Sequence, residues 1–241
     1  MKLTSVTGKT IIVVGASGGI GSVCARVFAE AGARLVLSAR TESKLTALAE
    51  TLPTKDVLVV PADAGKAEDV AQLFEKAGKH FGTVDGVLIT AGSWKQLGID
   101  DPVPDAVALA ESHFRGLFLP TLVVADTAQQ FFRKQGHGLI MNISSHAAVR
   151  TDLPGNLTYG PMKSAARHFM VSLVPELVRT GVRVTDIQPA IVNTPDAAAL
   201  LDTPEKRAQA VQPEAIPEWI IENFDHPAIA TEKRFDSKVV L

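Results

Sequence analysis

Tyr159 is the single tyrosine in a chain of 241 residues. Four positions later stands Lys163, in the stretch Tyr159-Gly160-Pro161-Met162-Lys163. A helix turns once in about 3.6 residues, so this spacing puts phenol and ammonium on one face. A free phenol has a pKa of about 10, and a nearby cation favours its ionised form. The pair is therefore equipped to exchange a proton with a bound molecule. A surface tyrosine beside a solvated lysine has the same spacing, so the motif needs company. It has some in Gly15-Ala16-Ser17-Gly18-Gly19-Ile20-Gly21, four glycines in seven residues. Glycines let a backbone turn sharply and approach a ligand with no Cβ in the way. If a helix follows, its free N–H groups and positive dipole end face the same point, which suits a phosphate.

Those residues need elements to hold them, and the chain alternates short β-branched runs with longer amphipathic stretches. Runs 10–14, 34–38, 56–60, 86–90, 138–144 and 183–188 are nearly continuously apolar, as strands of a parallel sheet covered on both faces are. Segments 20–31, 42–52, 68–81, 105–135 and 158–180 have helical periodicity, and Gly32, Gly82, Gly136 and Gly181 stand where helices should stop. The order predicts an α/β fold, one doubly wound Rossmann-type domain with a mostly parallel central sheet of six to seven strands. No linker or charge run divides residues 1–241, so one domain is expected. Ligand sites in such sheets lie beyond the carboxyl ends of the strands, where the glycine motif falls. Pro161 is tolerated in a first helical turn, which sets the helix start near Leu157 or Thr158 and Tyr159 at its mouth. Pro175, further along, should kink or weaken that helix.

Bulk properties narrow the function classes. The chain is 46% hydrophobic and 21% charged, enough to bury a core. Net charge is −2, without the basic stripe interleaved with aromatics that nucleic-acid binding favours. The opening residues carry no apolar run of a signal peptide, and no uninterrupted apolar stretch nears the roughly 20 residues of a membrane span. The lone Cys24 excludes an internal disulfide and fits a reducing cytoplasm. The six histidines are dispersed, so no metal is expected.

With its Gly-x-x-x-Gly-x-Gly spacing and Tyr159-x-x-x-Lys163, the chain resembles the short-chain dehydrogenase/reductase family from about Gly8 to Pro195. The motifs are in register: the glycine turn, Asp63-Ala64 after the third strand, Ala91-Gly92 after the fourth, Asn142-Ile143-Ser144-Ser145 closing the fifth, and 189–195 after the sixth. The resemblance implies a nicotinamide cofactor and a catalytic set of Ser145, Tyr159 and Lys163. Tyr159 would give or take the proton, Lys163 would lower its pKa and hold the nicotinamide ribose, and Ser145 would hold the carbonyl oxygen. Ser144, one step back on the strand, would face elsewhere. Gly15, Ser17, Gly18, Gly19, Ile20, Gly21, Asp63, Ala64, Ala91, Gly92, Pro189, Val192 and Thr194 would join Tyr159 and Lys163 in binding the cofactor. At the end of the second strand, Ala39 replaces the acidic residue typical of NAD-preferring relatives, and Arg40, with Ser38, suits a 2′-phosphate; NADP(H) is expected over NAD(H).

The chain also departs from the family pattern. Val14 replaces a threonine, and Ile89 and Thr90 replace two asparagines, so hydrogen bonds there are lost or rerouted through Thr90. Ala190 replaces a glycine. His113 stands where the Asn of the family's catalytic tetrad is usual; it can serve a proton relay or merely fill the space. The pocket for a small carbonyl or alcohol substrate is expected among Ser93, Trp94, His146 and Arg150, under a lid at 196–212. The family often assembles as homodimers or homotetramers through its fourth and fifth helices, here 105–135 and 158–180.

Overall fold

The computed structural model describes residues 5–92, 94–226, 229 and 231–239. Its strands are β1 (Thr10–Val14), β2 (Arg34–Ser38), β3 (Val57–Val59), β4 (Gly86–Ile89), β5 (Gly138–Ile143), β6 (Val182–Pro189) and β7 (Glu232–Phe235). The helices are α1 (Gly19–Glu30), α2 (Glu42–Thr51), α3 (Ala67–Phe81), α4 (Val103–His113), α5 (Leu119–Gln135), α6 (Tyr159–Glu176), α7 (Pro204–Gln209) and α8 (Ala215–Asn223). Every strand pairs in parallel, in the order β3-β2-β1-β4-β5-β6-β7. The order reverses between β1 and β4, which opens a crevice above their carboxyl ends.

Strand periodicity divides the core. Ile11, Val13, Leu35, Leu37, Leu139 and Met141 face Cys24 and Phe28 of α1 and Ile216, Ile220 and Phe224 at α8. Their neighbours Ile12, Val14, Val36, Ile140 and Val184 face Phe74 of α3, Val124 and Phe132 of α5 and Met170 of α6. The inner strands are thus buried on both faces, which is why their runs read as continuously apolar.

The long helical stretch at 105–135 is not one regular helix. Residues Phe114–Phe118 form a π-helical turn between α4 and α5. Pro120 follows at once and has no N–H to give the preceding turn, and a widened turn accommodates that loss. The combined helix Val103–Gln135 is long and apolar enough by composition to cross a membrane. Here, however, Val124, Ala125, Ala128 and Phe132 pack one face on the sheet, while Asp105, Glu111 and Asp126 lie on the same helix. Helix α6 ends at Glu176, earlier than the periodicity indicates, because Pro175 removes a hydrogen bond from the last turn. Helices α7 and α8 and strand β7 had no strong sequence signal: α7 is six residues long, and β7 (Glu-Lys-Arg-Phe) is a charged edge strand.

Candidate active site

Four strand ends and one helix start converge on the crevice. After β1, Gly15 (φ +82°) turns the chain, and the Gly15 and Ala16 N–H groups donate to the Ser38 carbonyl at 2.8 and 3.1 Å. A Cβ on Gly21 would collide with the Gly15 carbonyl oxygen, so only glycine lets α1 start this close to the strand. The N-cap, Gly18, has no side-chain cap, and Ser17 and Gly18 are exposed; the first N–H groups of α1 remain free to face an anion. Ile20 follows in that first turn. Thr194, after β6, lies on the same turn, since a Cβ at Gly19 would be 2.8 Å from its Cβ.

The departures at β1 and β4 have a local resolution. Thr90 Oγ1 donates to the Val14 carbonyl at 2.8 Å, restoring through one hydroxyl a tie between these strands, while Val14 and Ile89 are buried. Beyond Thr90, Gly92 adopts φ +127° and lies against Leu117 of the π turn, beside Ala91. At β3, Asp63 Oδ1 accepts the Gly65 N–H at 3.0 Å, and its own N–H donates to Asp69 at 2.9 Å, so Asp63 and Ala64 sit in a fixed turn. Arg40 is exposed with no ion pair among the described residues. Ser38 is buried, so it serves the glycine turn through its carbonyl while Arg40 alone is open to a ligand.

The side chains expected to exchange a proton lie between β5 and α6. Ser145 caps a short 3-10 turn, His146–Ala148, its Oγ accepting the Ala147 N–H at 3.1 Å. The same side chain neighbours Tyr159 at the mouth of α6 and favours its ionised form. Ser145 thus caps the turn while lying beside Tyr159. Lys163, one turn on, is buried; its Nζ donates to the Ile143 carbonyl at 2.8 Å and lies 5.9 Å from the centre of the Tyr159 ring. Ser144 turns the other way and donates to Asp186 at 2.5 Å.

The charge balance differs from the expectation that Lys163 depresses the phenol. Burial pushes Tyr159 up to about 12, opposed by the neighbouring Ser145 hydroxyl. Burial also brings Lys163 down to about 8, opposed by the charge of Asp186. With its ammonium turned to a carbonyl and both groups desolvated, burial outweighs the mutual attraction.

His113 completes the cluster. Its Nδ1 lies 3.0 Å from Thr158 Oγ1, and its ring meets the Tyr159 ring edge to face at 5.8 Å. Its Nε2 is buried with no hydrogen-bond partner among the described residues. Burial, then the charge of Lys95, lowers its pKa, so the ring is neutral near pH 7.

The chain matches the short chain dehydrogenase family model over residues 9–205. The chain belongs to the short chain dehydrogenase family. It is 31% identical to an uncharacterized oxidoreductase of Staphylococcus aureus strain MRSA252, covering 93% of this chain and 94% of the relative. Among solved structures it resembles a short-chain dehydrogenase/reductase from Mycobacterium ulcerans, at 23% identity and TM-score 0.84, over 95% of this chain and 88% of that one. It also resembles 7α-hydroxysteroid dehydrogenase complexed with NADH and 7-oxo glycochenodeoxycholic acid, at 22% identity and TM-score 0.84, over 99% and 96%. These two likenesses are likenesses of fold.

As a short chain dehydrogenase, the chain carries its sequence-predicted residues to different depths. Of the expected pocket, Ser93 lies outside the described residues. Trp94 donates from Nε1 to Asn156 at 2.9 Å, and Arg150 is paired with Asp152 at 2.6 Å. His146 is buried, 3.4 Å from Asp236. In the expected lid, Val192 and Val211 form a bridge beyond Pro189, and the Lys238 N–H donates to the Gln209 carbonyl at 3.1 Å. Two residues of the cluster, Thr158 and Asp186, escaped the sequence reading. The signal for Asp186 was a charge inside run 183–188, on the same strand face as Gln188.

Proposed function

We propose that this chain is an NADP(H)-dependent oxidoreductase that interconverts a small carbonyl compound and a secondary alcohol, with Tyr159 as general acid and base. The observation that carries this reading is the gathering of Ser145, Tyr159 and Lys163 at the crevice, with Lys163 Nζ held at the Ile143 carbonyl and 5.9 Å from the centre of the Tyr159 ring. The glycine turn with its uncapped α1 and the exposed Arg40 fit a dinucleotide bearing a 2′-phosphate. Arg40 presents a planar fork of donors that a phosphate can accept, and Ala39 brings no carboxylate to repel one. The neighbour that holds NADH is 22% identical, too distant to decide cofactor choice here.

A bound nicotinamide would supply or accept the hydride. Tyr159 gives its proton to the carbonyl oxygen in reduction and takes it back from the alcohol in oxidation. Its high pKa keeps it protonated, ready for the reductive direction. Ser145 holds the substrate oxygen while charge develops on it. Lys163 keeps a positive charge beside the forming phenolate and holds the ribose. His113, neutral and with a free Nε2, sits behind Tyr159 as the group through which the proton is replaced. Residues 196–212, pinned at the Val192–Val211 bridge, close over the site once it is filled. The protein works in the cytoplasm as a homodimer or homotetramer. The buried Cys24, whose thiol burial raises, is a core residue.

The test is a panel of small ketones, aldehydes and secondary alcohols, followed by nicotinamide absorbance with NADPH, NADH and their oxidised forms. Turnover of one member with preference for the phosphorylated cofactor is expected. Binding of the dinucleotide without turnover of any member would make the chain a sensor or assembly subunit instead.

A further inference from the structure

A buried polar network runs from α5 across β5 and β6 to the β7 edge. Thr121 Oγ1 donates to Asn142 Oδ1 at 3.1 Å, and Asn142 Nδ2 donates to Asp186 Oδ1 at 2.7 Å. Ser144 Oγ donates to Asp186 Oδ2 at 2.5 Å, and Gln188 Nε2 approaches the same oxygen at 3.3 Å. Asn142, Ser144, Asp186 and Gln188 alternate along β5 and β6, so they share the sheet face that α6 covers, as Ile140, Val184 and Met170 do further down. Asp186 is wholly inaccessible to solvent (0%).

A carboxylate buried this deeply is rare without a cation partner. Its three hydrogen-bond donors are neutral, so they fix its direction without cancelling its charge. The charged and titratable groups around it are Tyr159, Lys163 and Arg167 on α6, Glu232 and Arg234 on β7, and His113 on α4 beyond Tyr159. Glu232, opposite Asp186 in register, is occupied by Arg167 and Gln188, both at 2.5 Å. Arg234 is turned to Gln188 at 3.2 Å. Lys163 is the remaining buried cation, and its electrostatic partner among these groups is Asp186. Lys163 Nζ is anchored at the Ile143 carbonyl, on the residue between Asn142 and Ser144, which carry the donors to Asp186.

We propose that Asp186 is a positioning residue for the reaction: it is the buried counter-charge that keeps Lys163 an ammonium beneath Tyr159. Removing the charge of Asp186 leaves a desolvated ammonium facing a carbonyl and neutral amides, and such an ammonium gives up its proton. Asn142, Ser144 and Gln188 hold the carboxylate where its charge acts along the α6 face. The inference rests on the role given to Lys163 above, but its physical content is measurable without turnover.

The experiment uses the cofactor-free protein with 13C-labelled lysine, following the Lys163 13Cε resonance against pH. In the wild type it should titrate at about 8. In Asp186→Asn, which keeps the side-chain shape, the proton affinity of Lys163 should fall about tenfold or more, and the alkaline limb of carbonyl reduction should move down in pH with it. An unchanged Lys163 titration overturns the proposal even if activity falls. Should Asp186→Asn not fold, Lys163→Met/Asp186→Asn decides the matter. Losing both members of a buried pair is far milder than stranding one, so the double variant should fold. A double variant that stays unfolded while Lys163→Met alone folds overturns the proposal. A wild type that turns over nothing would count against the functional reading and leave the titration result standing.

Discussion

At the residue scale, what separates Tyr159 from an ordinary surface tyrosine is its partners. Ser145 neighbours it, Lys163 sits one turn beneath, and His113 closes the far side. The sequence exposed all four positions, because residue type and spacing survive in one dimension. It did not expose the balance between them, because desolvation depends on what packs around a group. That is why the spacing indicated a lowered phenol pKa while burial raises it. The same burial gives a pH signature. Lys163 drops from 10.5 to about 8, so between these values the unfolded chain binds the extra proton. Its contribution to stability therefore rises as pH increases through this window and is lost on the way down. Denaturant titrations should show the wild type gaining stability between about pH 8 and 10.5, a gain absent from Lys163→Met. Carbonyl reduction, which needs the ammonium, should fall above about pH 8. Arg40 is the residue proposed to set the cofactor choice. Charge-assisted hydrogen bonds contribute about 1.5–3 kcal/mol, so Arg40→Asp should cost roughly tenfold or more in NADPH affinity relative to NADH. Unchanged relative affinities, by fluorescence titration, would remove Arg40 from that role.

At the scale of elements, each candidate site side chain is held near a terminus: the ends of β1 to β6, the end of α4 and the start of α6. Apolar runs made β1 to β6 and most helices legible, since five of those strands lie inside the sheet and are covered on both faces. Elements with weak hydrophobic pattern were not: α7 is short, and β7 is charged at the sheet edge. The π turn at Phe114–Phe118 was hidden for another reason. Its cause, Pro120, reads in sequence as a helix breaker, whereas the surrounding packing lets the helix widen and continue. Asp186 was hidden because a mostly apolar run reads as a buried strand, and one charge within it looks like noise until its partners are seen. The glycine turn makes the sharpest prediction at this scale. Gly21→Ala should displace the start of α1 and weaken dinucleotide binding at least tenfold by calorimetry, with the far-UV spectrum unchanged. Wild-type affinity in that variant would mean the phosphates bind elsewhere.

At the scale of the molecule, helices cover both faces of the sheet, and α4 with the π turn exposes an apolar stripe. Val103, Val107 and Phe114 on α4 and the π turn are 75%, 55% and 41% exposed. Their spacing sets them along one side of the helix, the face expected to meet a second copy. Val107→Asp/Phe114→Asp should convert a dimer or tetramer to monomer in sedimentation velocity, whereas a monomeric wild type would leave these residues without that partner. The topology itself was readable from the strand–helix alternation, because right-handed crossovers leave few arrangements for it. What the whole assembly of crevice, glycine turn and α6 exists to do comes down to one phenol. On a carbonyl substrate found with NADPH, Tyr159→Phe removes the transferable proton and little else. It should lower kcat by about 10²–10⁴-fold while dinucleotide affinity stays within a few-fold of wild type. Full activity in that variant would contradict the assignment of Tyr159 as the proton donor, and with it the reaction proposed for this chain.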